Sequence, residues 1–188
     1  LATKLTDQGE PRATSLHRNY RKDGRVIWCE WYNSSLRDEN GNILSILSLA
    51  QDVTTRVLAE ERLVHQATHD SLTGLPNRSL LADRLNQALN TEQRYQRRFC
   101  LLFIDLDHFK DINDRMGHHA GDSVLIEASR RMQACLRAAD TLARHGGDEF
   151  VALLPETTAI DAAFAVAEKI RARLCEPFVI EEGQAQIS

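Results

Sequence analysis

β-favouring runs dominate the opening of the chain: His17 to Tyr20, Val26 to Leu36 and Ile43 to Asp52. Such runs suit a pleated, half-buried surface. Lys22-Asp23-Gly24-Arg25 and Asp38-Glu39-Asn40-Gly41-Asn42 break them. Asn-Gly is a strong hairpin signal, because both residues tolerate the positive φ that a type I′ turn demands. The expectation is a three-stranded antiparallel meander. From Thr55 to about His69 the period turns helical. Val57, Glu60 or Glu61, Val64 and Ala67 share a stripe with no internal Gly or Pro. Two heptads are too few to define a coiled coil, so the segment reads as a helical connector.

Beyond it the pattern alternates. A turn at Leu72-Thr73-Gly74-Leu75-Pro76-Asn77 leads into a helix with Leu81, Leu85, Ala88 and Leu89 on one face. Phe99 to Ile104 is a continuous apolar run of strand length, which suggests a central strand buried on both sides. Val124, Leu125, Ala128, Met132, Cys135 and Leu136 mark a second amphipathic helix. Thr141 to Arg144 and Phe150 to Leu154 read as short strands facing each other across His145-Gly146-Gly147-Asp148-Glu149. Thr158 to Asp161 resembles a capping box that opens a third helix. Its apolar face is Ile160, Ala163, Phe164, Ala167, Ile170 and Leu174, and Phe178-Val179-Ile180 begins another strand. The order α-β-α-β-β-α-β is the rhythm of an α+β sandwich with a mixed sheet.

Charge narrows the function. The 188 residues carry 23 basic and 27 acidic groups, too little positive excess for an electrostatically driven nucleic-acid binder. Residues 1–69 hold 9 basic and 9 acidic groups and residues 70–188 hold 14 and 18, so the acidity lies in the second part. No apolar run approaches the roughly 20 residues that span a bilayer, so no membrane contact is expected of this segment. Cys29, Cys100, Cys135 and Cys175 have neither zinc-pair spacing nor the density of a disulfide framework, which fits a reducing cytoplasm. No signal peptide opens the chain, and both ends read as cut from a longer polypeptide.

Three constellations carry candidate chemistry. Asp105 and Asp107 close the apolar strand, where alternate residues project to one face. A hard divalent cation wants such oxygen ligands, although acids also simply end strands at water. Gly146-Gly147-Asp148-Glu149 places adjacent, mutually repelling acids at a tight bend, an odd choice without a cation. If strand and bend are sheet neighbours, three or four carboxylates converge into a candidate two-metal site for in-line phosphoryl chemistry. The third is Phe109 to Asp122. Lys110 could offset phosphate charge, and Asn113 and Asp122 could act on a base, since a carboxylate accepts the parallel N1–H and N2–H₂ donors of guanine. His118-His119 lacks a partner at metal-ligand spacing and reads as a polar pair flanking a helix.

Together these strings resemble the GGDEF domain family in order and spacing: His69-Asp70-Ser71-Leu72-Thr73-Gly74-Leu75-Pro76-Asn77-Arg78, Asp105 to Lys110 and Asn113, Gly117-His118, Gly121-Asp122 and Gly146 to Phe150. The resemblance covers residues 70–188. It implies a ferredoxin-like βαββαβ core of the nucleotidyl-cyclase and polymerase-palm type, and a diguanylate cyclase that condenses two GTP into cyclic di-GMP and two pyrophosphates. By the same resemblance Asp105, the Leu106 carbonyl and Asp148 would hold Mg²⁺ (or Mn²⁺). Asp148 would accept the 3′-OH proton, with Glu149 as the neighbouring acid and Lys110 stabilising the transition state. Asn113, His118 and Asp122 would bind substrate, with Asn113 and Asp122 reading guanine. The resemblance also implies one GTP per domain, so that catalysis would need two domains face to face in a homodimer.

Arg137-Ala-Ala-Asp140 matches the place of the family's inhibitory site for cyclic di-GMP, though nineteen Arg and fourteen Asp make about one such match expected by chance. The alternative is a helix-end ion pair. The family often adds a second Arg on the next helix, where this chain has Lys169 and Arg173 nearby. The chain also stops before the family's last strand and helix, which normally bring a Lys and an Arg to the triphosphate; a protein ending here would bind GTP and fold less well. Residues 1–54 resemble the closing three strands of a PAS domain, residues 55–69 its signalling connector and residues 70–188 the GGDEF domain. The PAS ligand is not legible, and Trp28 and Trp31 read as packing residues. Two rivals stand beside the cyclase: a non-catalytic GTP-binding GGDEF domain that regulates an attached cyclic di-GMP phosphodiesterase, and a pure sensing and dimerisation module.

Overall fold

The computed structural model describes residues 12–157, 159–180, 183–185 and 187. It divides into two compact units, Leu1–Val64 and His65–Ser188.

The first unit is the expected meander. Strands β1 (Arg12–Tyr20), β2 (Val26–Arg37) and β3 (Ile43–Asp52) pair antiparallel in the order β1-β2-β3, with Trp31 between Ser15 and Ala50. Trp28 and Trp31 are half-buried on opposite faces of β2, and Arg18 lies over the Trp28 ring at 6.0 Å. The β2–β3 turn differs from the expected type I′. Only Gly41 takes positive φ (84°); Asn40 does not. Asp38 accepts the Gly41 amide on its carbonyl at 3.0 Å, and its own amide donates to the Asn42 carbonyl at 2.9 Å. The loop is therefore longer, with one left-handed glycine, and the Asp38 side chain stabilises it. Helix α1 (Thr54–Thr68) follows, with Asp52 Oδ1 accepting from the Thr54 amide at 3.0 Å; none of its residues is buried.

In the second unit, α2 (Arg78–Tyr95) is capped by Asn77, whose Oδ1 accepts the Ser79 and Leu80 amides. Then come β4 (Cys100–Asp105), α3 (Phe109–Met116), α4 (His118–Gln133), β5 (Thr141–Gly146), β6 (Glu149–Leu154) and α5 (Ile160–Leu174), and last a hairpin of β7 (Phe178–Ile180) and β8 (Gly183–Ala185). The sheet order is β4-β6-β5, three strands of the ferredoxin-like arrangement. Among the described residues every pairing in this sheet is antiparallel. Among the described residues β7 pairs with β8, not with this sheet.

Strand alternation sorts two cores. Leu142, Phe150, Ala152 and Leu154 join Val124, Ala128 and Met132 of α4 and Ile170 and Leu174 of α5. Ala143, Val151 and Leu153 meet Leu81, Leu85 and Ala88 of α2 on the other face. Full burial of a side chain such as Phe150 or Leu154 stabilises by about 1.5–3 kcal/mol. Arg131 closes the base: it donates to the carbonyls of Glu176 (2.6 Å) and Pro177 (2.9 Å) and lies 4.0 Å over the Phe178 ring.

Among the described residues β6 lies between β4 and β5, β4 pairs with β6, and Phe103 is 77% exposed. Ile160 and Phe164 do not join the core face of α5, and Leu89 of α2 is also exposed. Segment 109–122 folds as two helices broken at Gly117 (φ 87°), the first of which, α3, the sequence pattern did not single out. Thr158 lies outside the described residues, and α5 begins after Ala159 without a side-chain cap.

Candidate functional site

β4 and β6 run antiparallel in a register that sets Asp105 opposite Glu149. β5 and β6 are joined by the two-residue turn Gly147-Asp148, so the paired glycines are split: Gly146 ends the strand and Gly147 begins the turn. Gly147 has φ 54°, the positive value that a type II′ hairpin requires at its first turn position. Three carboxylates thus collect at one end of the sheet. Desolvation and then the charges of Asp148, Glu149 and Asp107 raise the pKa of Asp105 above its ordinary value. Asp105 is exposed, so the part of that push peculiar to this site is like-charge repulsion.

Among the described residues, the Asp148 and Glu149 side chains make no hydrogen bond or ion pair. Asp105, Glu149 and His145 line one open cavity of about 330 Å³ with Phe103 and Val151. The His145 Nδ1 is buried there without a partner. Asp107 lies beyond the end of β4, so strand alternation does not place it; Asp105 and Asp107 instead line a second cavity of about 440 Å³ together. Leu106 between them is 1% exposed, and its carbonyl accepts the Phe109 amide at 3.2 Å, which leaves one oxygen lone pair.

No three His, Cys, Asp or Glu side chains among the described residues are gathered closely enough to hold a metal alone. Two unpaired carboxylates and a carbonyl oxygen are nevertheless the hard donors that Mg²⁺ or Mn²⁺ accepts when substrate phosphates and water complete its shell. The donor set fits such an ion.

Lys110 stands exposed on α3, and His118 and Asp122 stand exposed at the start of α4. Asn113 is half-buried against α4. A Cβ at Gly121 would lie 2.0 Å from Asn113 Oδ1 and 3.2 Å from the Phe109 ring, so glycine is required there for α3 to pack with Asn113 in place. Arg137 and Asp140 belong elsewhere. They sit in the turn before β5, whose six residues separate them from Gly146 by roughly 20 Å at about 3.4 Å per residue. Asp140 Oδ2 accepts the Arg137 amide at 2.8 Å, which replaces the alternative of a side-chain ion pair. With Glu156, Thr157 and Val166 they line a cavity of about 200 Å³. Lys169 donates to the Cys135 carbonyl and Arg173 pairs with Glu176 at 2.9 Å, so neither supplies a second cation to that cavity.

Sequence reasoning gave no role to Arg144 or Asp70. Arg144 donates from Nε and Nη2 to the Gly147 carbonyl, and from Nη1 to Asp70 Oδ1 at 3.0 Å. Partial burial pushes the Asp70 carboxyl up. Hydrogen bonds from the Thr73 hydroxyl and amide, then the Arg144 guanidinium, outweigh that push, and the net pKa is lowered. Asp70 followed by Thr73 is the legible signal, since Asp side chains bond backbone two or three residues on.

The family model "Diguanylate cyclase, GGDEF domain" matches residues 67–188. The chain is 47% identical over 152 residues to the bifunctional diguanylate cyclase/cyclic di-GMP phosphodiesterase MucR of Pseudomonas aeruginosa, covering 78% of this chain and 22% of that protein. It is 45% identical over 121 residues to the diguanylate cyclase TpbB of the same species, covering 64% and 28%. The chain therefore spans about a quarter of the length of these relatives. The solved GGDEF domain of TpbB superposes with a TM-score of 0.62 at 42% identity, over 64% of this chain and 70% of that one. No helix among the described residues is long and apolar enough to cross a membrane.

Proposed function

The chain belongs to the diguanylate cyclase GGDEF-domain family, and from that premise we propose that it condenses two GTP into cyclic di-GMP and two pyrophosphates. The observation that carries the reading is the unpartnered acidic turn: Asp148 and Glu149 lie beside Asp105 at the end of β4, and the three carboxylates repel one another. Relatives named as diguanylate cyclases support the chemistry.

Asp105, the Leu106 carbonyl and Asp148 would hold Mg²⁺ or Mn²⁺, which supplies charge neutralisation and lowers the pKa of a bound hydroxyl. Asp148 takes the proton of the ribose 3′-OH, and Glu149 keeps the turn strongly negative. Lys110 balances charge on the departing pyrophosphate. Asn113, fixed over Gly121, reads guanine together with Asp122, and His118 contacts the nucleotide. Each domain holds one GTP, so turnover needs two copies facing each other in a homodimer. The first unit and α1 act as the PAS-type sensor and connector that govern this pairing, and the protein works in the cytoplasm. Cyclic di-GMP occupies the Arg137–Asp140 cavity as an inhibitor, the guanidinium forking onto guanine or phosphate.

A second reading starts from MucR, whose name joins a phosphodiesterase to a diguanylate cyclase and so supports the attached phosphodiesterase alone. In it this domain binds GTP without turnover and regulates an attached phosphodiesterase. The deciding experiment incubates the full-length protein with GTP and Mg²⁺ and follows pyrophosphate and cyclic product. Product formation supports the cyclase; GTP binding with no product supports the regulator; no nucleotide dependence defeats both.

A further inference from the structure

The acidic turn is held by one side chain. Arg144 is only 13% exposed. Its Nε and Nη2 converge on the Gly147 carbonyl at 2.9 and 2.7 Å, while Nη1 reaches Asp70 Oδ1 at 3.0 Å. The same Asp70 oxygen accepts the Thr73 amide at 2.9 Å and the Thr73 hydroxyl at 2.7 Å. The Arg144 amide donates to the Pro76 carbonyl at 3.0 Å. This loop begins two residues after the end of α1. Asn77 fastens it back to the helix, its amide donating to the Thr68 carbonyl and its Nδ2 to the Ala67 carbonyl, each at 2.9 Å.

Gly147 offers no side chain that packing could hold, and nothing lies within 4 Å of the position its Cβ would take. Its carbonyl is therefore the handle on the turn. That carbonyl belongs to the peptide plane that carries the Asp148 nitrogen, so fixing it sets where Asp148 can point. Repulsion among Asp105, Asp148 and Glu149 works against this arrangement.

We propose that Arg144 is a positioning residue for the acidic turn: it sets the Gly147–Asp148 peptide plane and links it, through Asp70, to the segment leaving α1. A planar guanidinium is required, because only a fork reaches a carbonyl with two donors and a carboxylate with a third. The proposal builds on the reading of Asp148 as the group that takes the proton, and its test has a readout free of turnover.

The test uses the full-length protein with Arg144→Lys, and Asp70→Asn as a milder second variant. Amide hydrogen exchange is followed at residues 147–150 and in α4, alongside initial rates over a range of GTP and Mg²⁺. Arg144→Lys should speed exchange at residues 147–150 by about tenfold or more and leave α4 unchanged. It should lower kcat roughly 10- to 100-fold, the penalty of a displaced reacting group, with KM for GTP within about twofold. Asp70→Asn keeps the acceptor oxygen and should show the same pattern more weakly. Unchanged exchange at residues 147–150, or equal acceleration there and in α4, overturns the proposal, because the arginine would then be idle or a general prop. Faster local exchange in a protein whose parent forms no product upholds the clamp and defeats the cyclase reading instead.

Discussion

The β2–β3 and β5–β6 turns each combine an aspartate with a glycine of positive φ, and they treat the acid differently. In Asp38–Asn42 the carboxylate is used by its own loop: Oδ1 accepts the Asn40 and Asn42 amides at 2.9 and 2.7 Å, and Oδ2 accepts the Asn42 side-chain amide at 3.0 Å. The Asn42 side chain first, then its amide, lower the pKa of Asp38. In Gly147-Asp148 the acids receive no such bonds among the described residues, and they raise Asp105 after desolvation has done so. One turn is stabilised by its charge; the other keeps its shape against its charge. An acidic bend that does not satisfy itself is arranged for something brought from outside.

That contrast can be broken by substitution. Asp148→Asn should lower turnover by roughly 10²–10⁴-fold, the usual loss on removing a proton-transfer group, with circular dichroism unchanged. Asp38→Asn should leave turnover alone and only loosen the first unit. Equal effects on turnover would erase the distinction.

A smaller loss is expected from Gly121→Ala. The new methyl collides with Asn113 Oδ1, and such overpacking costs about 1–3 kcal/mol. If Asn113 reads guanine as proposed, KM for GTP should rise more than kcat falls, because that side chain moves and the acidic turn does not. An unchanged KM separates Asn113 from guanine.

Acid should act on the two turns in opposite senses. Asp38 has a lowered folded pKa, so its contribution is complete above the ordinary carboxylate range and is lost as pH falls through the folded value. Asp105 has a raised folded pKa, so the folded form takes up its proton first and stability rises as pH falls through that window. Melting curves should find Asp105→Asn more stable than the parent at pH 7, the gap closing on acidification. Asp38→Asn should be less stable at pH 7, its gap also closing. A destabilised Asp105→Asn would mean that the cluster is not repulsive. The mildest effect belongs to Arg137→Ala, which should leave the initial rate unchanged and relieve slowing as product accumulates; an identical progress curve removes the inhibitory site.

Much of this was legible in the residues themselves. The meander, the connector and each helix of the second unit except α3 follow from period and punctuation, and Asp105 beside Asp148 follows from a strand and a glycine bend in one sheet. What the pattern could not convey was pairing. Ile160 and Phe164 fit a helical stripe equally well whether it is covered or bare. Arg144 and Asp70 lie 74 residues apart, and no local spacing announces that one long side chain spans the gap. Asn-Gly suggested a two-residue turn because it cannot show that an Asp two positions earlier will take over the hydrogen bonding.

The central claim is that Asp105 and Asp148 form one cation site. Its most direct test is a Mg²⁺ titration of the full-length protein with a non-hydrolysable GTP analogue, following the side-chain carboxyl carbons of both residues by NMR. The account predicts that both resonances move together with one apparent affinity, and that Asp148→Asn weakens the response at Asp105 at least tenfold. Independent titration of the two residues, or an undiminished response at Asp105 in the variant, would contradict it.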